Sequence, residues 1–284
     1  MLTASAGKAQ GTDEEMTEQA TALRTLRSLP LQELPGPVPT LYVSSAQQRA
    51  REYQQSLQPA LAWFEAQLQL KLPMDLAVLD RNSYEKINGA PWPIPYAMPY
   101  FNYLVFPDHI EELLGPEPKV KVPGEYITYH EGGHVLAYRL GINSDNAFVG
   151  ELIANIFMAG YIHAKRADLA WVLEGPDPNE HPRYTSLADL DYVYFPGVGP
   201  ANYVWYQFHL QRMAGYLTTG QDFSSVIDKL KTEFPADRKK QEALAQIIAH
   251  LDQIRPGLKE TLGMLAAPTT LARIAPSACP KSGP

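Results

Sequence analysis

Apolar residues recur at three- and four-residue intervals between Ala46 and Leu70, at Tyr53, Leu57, Leu61, Phe64 and Leu68. That period predicts a helix with one buried face, kinked or interrupted at Pro59. Leu41-Tyr42-Val43, Met74–Leu79 and Tyr103–Phe106 are short runs of apolar and β-forming residues, and they predict strands. Between the last two lies Ala90–Pro99, where Pro91, Pro93, Pro95 and Pro99 alternate with Trp92, Tyr96 and Met98. So much proline excludes an interior strand and leaves an edge strand or a loop lining a surface. From Gly124 onward the period becomes helical, predicting helices at Glu125–Leu140, Asn146–Ala167, Asn202–Leu217, Phe223–Glu233 and Arg238–Leu251, with a shorter one near Leu258–Leu265.

A strand-bearing first half followed by a helical second half gives an α+β fold, with a small mixed sheet and a mainly helical part sharing one cleft. The expected divisions are a disordered lead and Pro-rich connector over 1–40, an α/β part with an edge strand over 41–123, a helical catalytic part over 124–266 and an irregular tail over 267–284. Residues 1–20 are polar, small and without period, and Leu34-Pro35-Gly36-Pro37-Val38-Pro39 cannot be helical.

Composition narrows the function without choosing it. The net charge of -7 is spread along the chain, and no basic cluster offers a nucleic acid its footprint. The most apolar helical stretch, Ile153–Ile162, is about half the length of a membrane span and contains Asn155, so no span is expected. The first residues show no signal-peptide pattern, which leaves the compartment open. Oligomeric state is equally open. One cysteine, Cys279, permits neither an internal disulfide nor a cysteine metal cluster. Metal chemistry therefore has to rest on histidine and carboxylate.

His130-Glu131-Gly132-Gly133-His134 supplies such chemistry. Two histidines one helical turn apart project from the same face and can reach one ion at about 2.0–2.1 Å. Glu131 is turned about 100° from His130, beside the ion rather than on it, where a general base for hydrolysis has to be. Chance matches to this pattern in such a composition number on the order of 0.01. Consecutive glycines inside a helix each cost about 0.5–1 kcal/mol against alanine, so a strand edge or a substrate close by is expected. A third ligand is still needed, and Glu151 is the best candidate. It shares a mostly apolar helix face with Phe148, Leu152, Asn155 and Ala159, where an unpartnered carboxylate is strongly unfavourable. Asn155, one turn later, is placed to orient a ligand histidine by a hydrogen bond.

The His-Glu-x-x-His segment at 130–134, followed by Glu151-x-x-x-Asn155, resembles the gluzincins, zinc peptidases with two histidines and one glutamate on the metal. Residues 135–150 form a slightly shorter gap than in thermolysin-like and aminopeptidase-like members, which often carry Asp where Asn155 stands. The resemblance implies a zinc ion on His130, His134 and Glu151, with Glu131 activating the water and a peptide or protein as substrate. It also implies a Tyr or His on a later segment to stabilise the oxyanion. Tyr203, in the first turn of its helix, is the first choice, with Tyr206 and His209 as further candidates. Arg183 is a candidate clamp for a substrate carboxylate. The Tyr96–Tyr103 region loosely resembles the edge strand that gluzincins set beside the active helix, where a peptide can add as another strand. The same motif would also fit a zinc-containing relative that binds peptides without cleaving them.

Overall fold

Five strands form one mixed sheet in the order β1-β2-β3-β5-β4. They are β1 (Gln32–Leu34), β2 (Thr40–Tyr42), β3 (Asp75–Leu79), β4 (Tyr96–Met98) and β5 (Tyr103–Pro107). The computed structural model describes residues 13–88, 93–114, 121–144, 146–175, 200–236 and 242–258. β2, β3 and β5 run parallel, while β1 and β4 are antiparallel additions at the two edges. β5 is buried along its whole length, and β3 at every position but its first. Parallel strands need this cover on both faces, and their unbroken apolar runs reflect it.

The helices are α1 (Asp13–Ser28), α2 (Gln47–Leu68), α3 (Arg81–Asn88), α4 (Glu111–Leu114), α5 (Glu125–Leu140), α6 (Ala147–Lys165), α7 (Pro200–Thr218), α8 (Phe223–Glu233) and α9 (Leu244–Ile254). The α+β expectation agrees with this mixture. One continuous apolar core runs from Leu23 to Leu258 and joins the sheet to the helices across residue 123. The Pro-rich segment supplies β4 at an edge of the sheet, as its prolines require. Pro59 lies inside α2 without ending it.

Three differences from the sequence reading have local causes. The lead is helical from Asp13, because Leu23 and Leu26 are buried in the common core and seat an otherwise polar helix. α3 has too few apolar residues to show a period, yet Asp80 begins it by accepting from the Ser83 backbone N–H at 2.9 Å. The last described helix reaches Ile254 because Ile247, Leu251 and Ile254 form one buried stripe. The shorter helix near Leu258–Leu265 lies almost wholly outside the described residues.

α6 is the centre of the helical layer. Every residue from Leu152 to Ile162 is buried, so the helix is apolar all round. Among the described residues it is the one helix long and apolar enough to cross a membrane by length and composition. The Ile153–Ile162 stretch is only its most apolar part. Here α6 is mostly enclosed, packed against α5, α7 and α2.

α5 and α6 lie unusually close. A Cβ at Gly133 would stand 2.6 Å from the Ala154 carbonyl oxygen and 2.9 Å from its Cα. The missing side chain thus answers to the α6 backbone, and the expected strand edge or substrate is not its cause. A Cβ at Gly132 would meet Met74 and Leu57 side-chain atoms at 3.7–3.8 Å, which is ordinary contact. Gly133→Ala should therefore destabilise the protein by about 1–3 kcal/mol through overpacking. Gly132→Ala should stabilise it by about 0.5–1 kcal/mol through lost unfolded-state entropy. Urea unfolding of the two variants beside the parent checks the opposite signs.

Candidate metal centre

The sequence builds α5 as a helix with strong ends. Gly141 closes it at φ 69, a left-handed value that favours glycine, and its N–H bonds back to Ala137 and Tyr138. At the other end Glu125 is buried and receives Arg166 in a two-pronged pair, at 2.7 and 3.0 Å. The Arg166 guanidinium also donates to the Tyr129 hydroxyl at 2.7 Å and to Asp168. Arg166 follows the last residue of α6, so this clamp ties the start of α5 to the end of α6. The helices are antiparallel, and the clamp helps fix which residues face each other. His134 meets Glu151, and His130 meets both Glu151 and Asn155.

At that meeting the ligand atoms of His130, His134 and Glu151 all lie within 4.8 Å of one another, a group able to hold a metal ion. His130 Nε2 stands 3.1 Å from one Glu151 oxygen, and His134 Nε2 stands 3.6 Å from the other. Two ligands each about 2.1 Å from an ion at a tetrahedral angle lie about 3.4 Å apart, so the spacing fits. The imidazole rings are almost perpendicular, at 88°, with centroids 4.9 Å apart.

Burial acts to raise the Glu151 carboxyl, but the His134 and His130 imidazoles outweigh it and hold that carboxyl well below the usual range. Glu131 is 6% exposed, and burial pushes its carboxyl up to about 8. His130 pulls it down, Glu151 pushes it further up, and the Ala97 backbone N–H on β4 pulls it down. Its carboxylate is 4.0 Å from His130 Nε2, beside the three-residue group. A buried titratable carboxyl thus sits next to a cluster of metal-ligand type.

Asn155 is fully buried, and its Oδ1 lies 3.0 Å from His130 Nδ1. It is where an orienting partner of a ligand histidine belongs. Tyr203 lines the same cleft as His130 and Glu131. Its hydroxyl accepts from Gln207 Nε2 at 2.9 Å, and the same nitrogen donates to Glu151 at 2.7 Å. Gln207 also accepts from Asn155 Nδ2 at 3.1 Å. The sequence reading missed Gln207. Nothing in the sequence singles it out, since Asn202 and Gln211 are amides on the same helix.

Tyr206 and His209 do not line the cleft that Tyr203 and Gln207 line; both contact Trp205, with ring centroids at 5.2 and 4.1 Å. Burial pushes the His209 imidazole down to about 4. Arg183 and Cys279 lie outside the described residues.

The cleft beside the group is open to solvent, and its walls are mainly apolar. Ile94, Leu113, Ile127, Val204 and Phe208 line it. Comparison with protein-family models, with curated proteins and with solved structures found no match. The site therefore has to be read from its own geometry.

Titration of the chelator-stripped protein should show one divalent transition-metal ion bound per chain, with a higher melting temperature when loaded. Asn155→Ala should weaken that binding about 10–100-fold by freeing the His130 ring. Calorimetry or competition with a chromophoric chelator measures both.

Proposed function

We propose that the protein is a zinc-dependent hydrolase, most consistent with a metallopeptidase. The observation that carries this reading is a buried carboxylate, Glu131, set beside a His130–His134–Glu151 group whose donor atoms have metal-ligand spacing. A pure metal-storage or structural site has no use for such a neighbour. Zinc held by those three residues would supply Lewis acidity toward a carbonyl and favour ionisation of water.

The chain's own groups then divide the work. Glu131 takes a proton from the attacking water in its ionised form, since its carboxylate lies 4.0 Å from His130 Nε2 and is not itself a ligand. Tyr203 is the donor for the developing oxyanion. It lines the cleft together with Glu131, and its oxygen accepts from Gln207. β4 lies beside α5 at the sheet edge and directs the Ala97 N–H toward Glu131. An extended peptide can pair with such an edge, which favours a peptide among possible acyl substrates. The apolar walls of the cleft suit a substrate that presents an aliphatic or aromatic side chain.

Zinc-loaded protein incubated with a peptide library should yield cleavage products by mass spectrometry. Glu131→Gln should lower the rate by about 10²–10⁴ while metal binding persists. Tyr203→Phe should lower kcat by about 10²–10³ with little change in KM, as loss of one transition-state donor does. An unaltered rate for Glu131→Gln would sink the hydrolase reading. Zinc binding with no cleavage of any peptide would turn it toward a peptide-binding protein of the same architecture.

A further inference from the structure

We infer that Gln207 is the positioning residue of the metal centre, holding the Glu151 carboxylate in one rotation and, through Asn155, fixing the tautomer of His130. This rests on the reading of His130, His134 and Glu151 as metal ligands, and not on hydrolysis.

A carboxamide carries two N–H donors and one carbonyl acceptor. Gln207 commits all of them. Its nitrogen donates to Glu151 Oε2 at 2.7 Å and to the Tyr203 hydroxyl at 2.9 Å, and its oxygen accepts from Asn155 Nδ2 at 3.1 Å. With its amide nitrogen turned to Gln207, Asn155 presents its oxygen to His130 Nδ1 at 3.0 Å. That nitrogen must then carry the proton, and Nε2, the atom facing Glu151, keeps its lone pair for an ion.

Neither amide can be turned over. A rotated Gln207 would set its carbonyl oxygen against the Glu151 carboxylate and its N–H groups against those of Asn155. A rotated Asn155 would set its carbonyl oxygen against that of Gln207. The two orientations enforce each other, and donor polarity runs in a fixed sense from His130 through Asn155 and Gln207 to Glu151 and Tyr203. One side chain on α7 thereby governs a carboxylate ligand and a histidine ligand that both come from other helices.

Gln207→Met keeps the length of the side chain and removes all three bonds. The full chain is stripped with a chelator and titrated with zinc and with cobalt(II) against a chromophoric competitor. Gln207→Met should bind each ion about 10–100-fold more weakly than the parent, as loss of a ligand-orienting partner does, and the visible cobalt absorption bands should shift. Gln211→Met makes the same change one turn along the helix. It should bind with the parent's affinity and show its cobalt bands. Parent-like affinity and bands for Gln207→Met would overturn the proposal, as would an equal loss in Gln211→Met. Imidazole ¹⁵N shifts of the zinc-loaded parent give a check that needs no variant. They should report His130 bound through Nε2 with Nδ1 protonated, and the opposite pattern overturns the proposal even if Gln207→Met does not fold. A parent that binds no ion removes the metal centre itself, whereas equal binding by parent and Gln207→Met removes only the role of Gln207.

Discussion

The close approach of α5 and α6 at Gly133 and Ala154 is the constraint on which the centre depends. With no side chain at Gly133, the α5 backbone lies directly on that of α6, and a Cβ there would fall 2.6 Å from a carbonyl oxygen. Short side chains such as histidine and glutamate can then meet across the gap. The Arg166–Glu125 clamp at one end and the Gly141 cap at the other hold the helix in place along its length. A wider spacing would part the His130–His134 pair from Glu151 by more than the span of two metal bonds.

Placing a carboxylate and an amide on a helix buried all round is costly unless each polar atom is satisfied. Glu151 and Asn155 occur on the most apolar helix among the described residues. They are tolerated there because α5 and α7 bring polar partners to the same face: His130 and His134 from one, Gln207 from the other. The result is a closed network inside an apolar shell, where electrostatic interactions are stronger than in water. Glu131 faces the same shell with fewer partners, and burial accordingly dominates its protonation. The Ala97 N–H links this carboxyl to the edge strand, so the sheet and the helices meet at the group that borders the candidate ligands.

Much of this was readable in order along the chain. Helical period located α2, α5, α6 and α8 to within a few residues, and proline content located β4 at an edge. The positions that misled share one property: their state is set by neighbours distant in sequence. The helix from Asp13 exists because two leucines find a pocket in the core. Gly133 lacks a side chain because of Ala154, on a different helix. Tyr203, Tyr206 and His209 are chemically similar candidates on one helix, and only its rotation about its own axis separates the one that lines the cleft from the two that contact Trp205.

By itself the sequence determined the donor chemistry: two histidines one turn apart, a glutamate beside them, and a Glu-Asn pair at the same spacing on a second apolar helix. Those features are local, and helical periodicity alone aligns each pair on one face. Only the tertiary structure decided that the two faces meet, at what distance, and that α7 closes the group with Gln207. The facing of helices depends on packing and on ion pairs between residues far apart in the chain, which no local period encodes. A glutamine has no chemical signature of its own in a sequence. Its role appeared only when Asn155, Glu151 and Tyr203 were found around it.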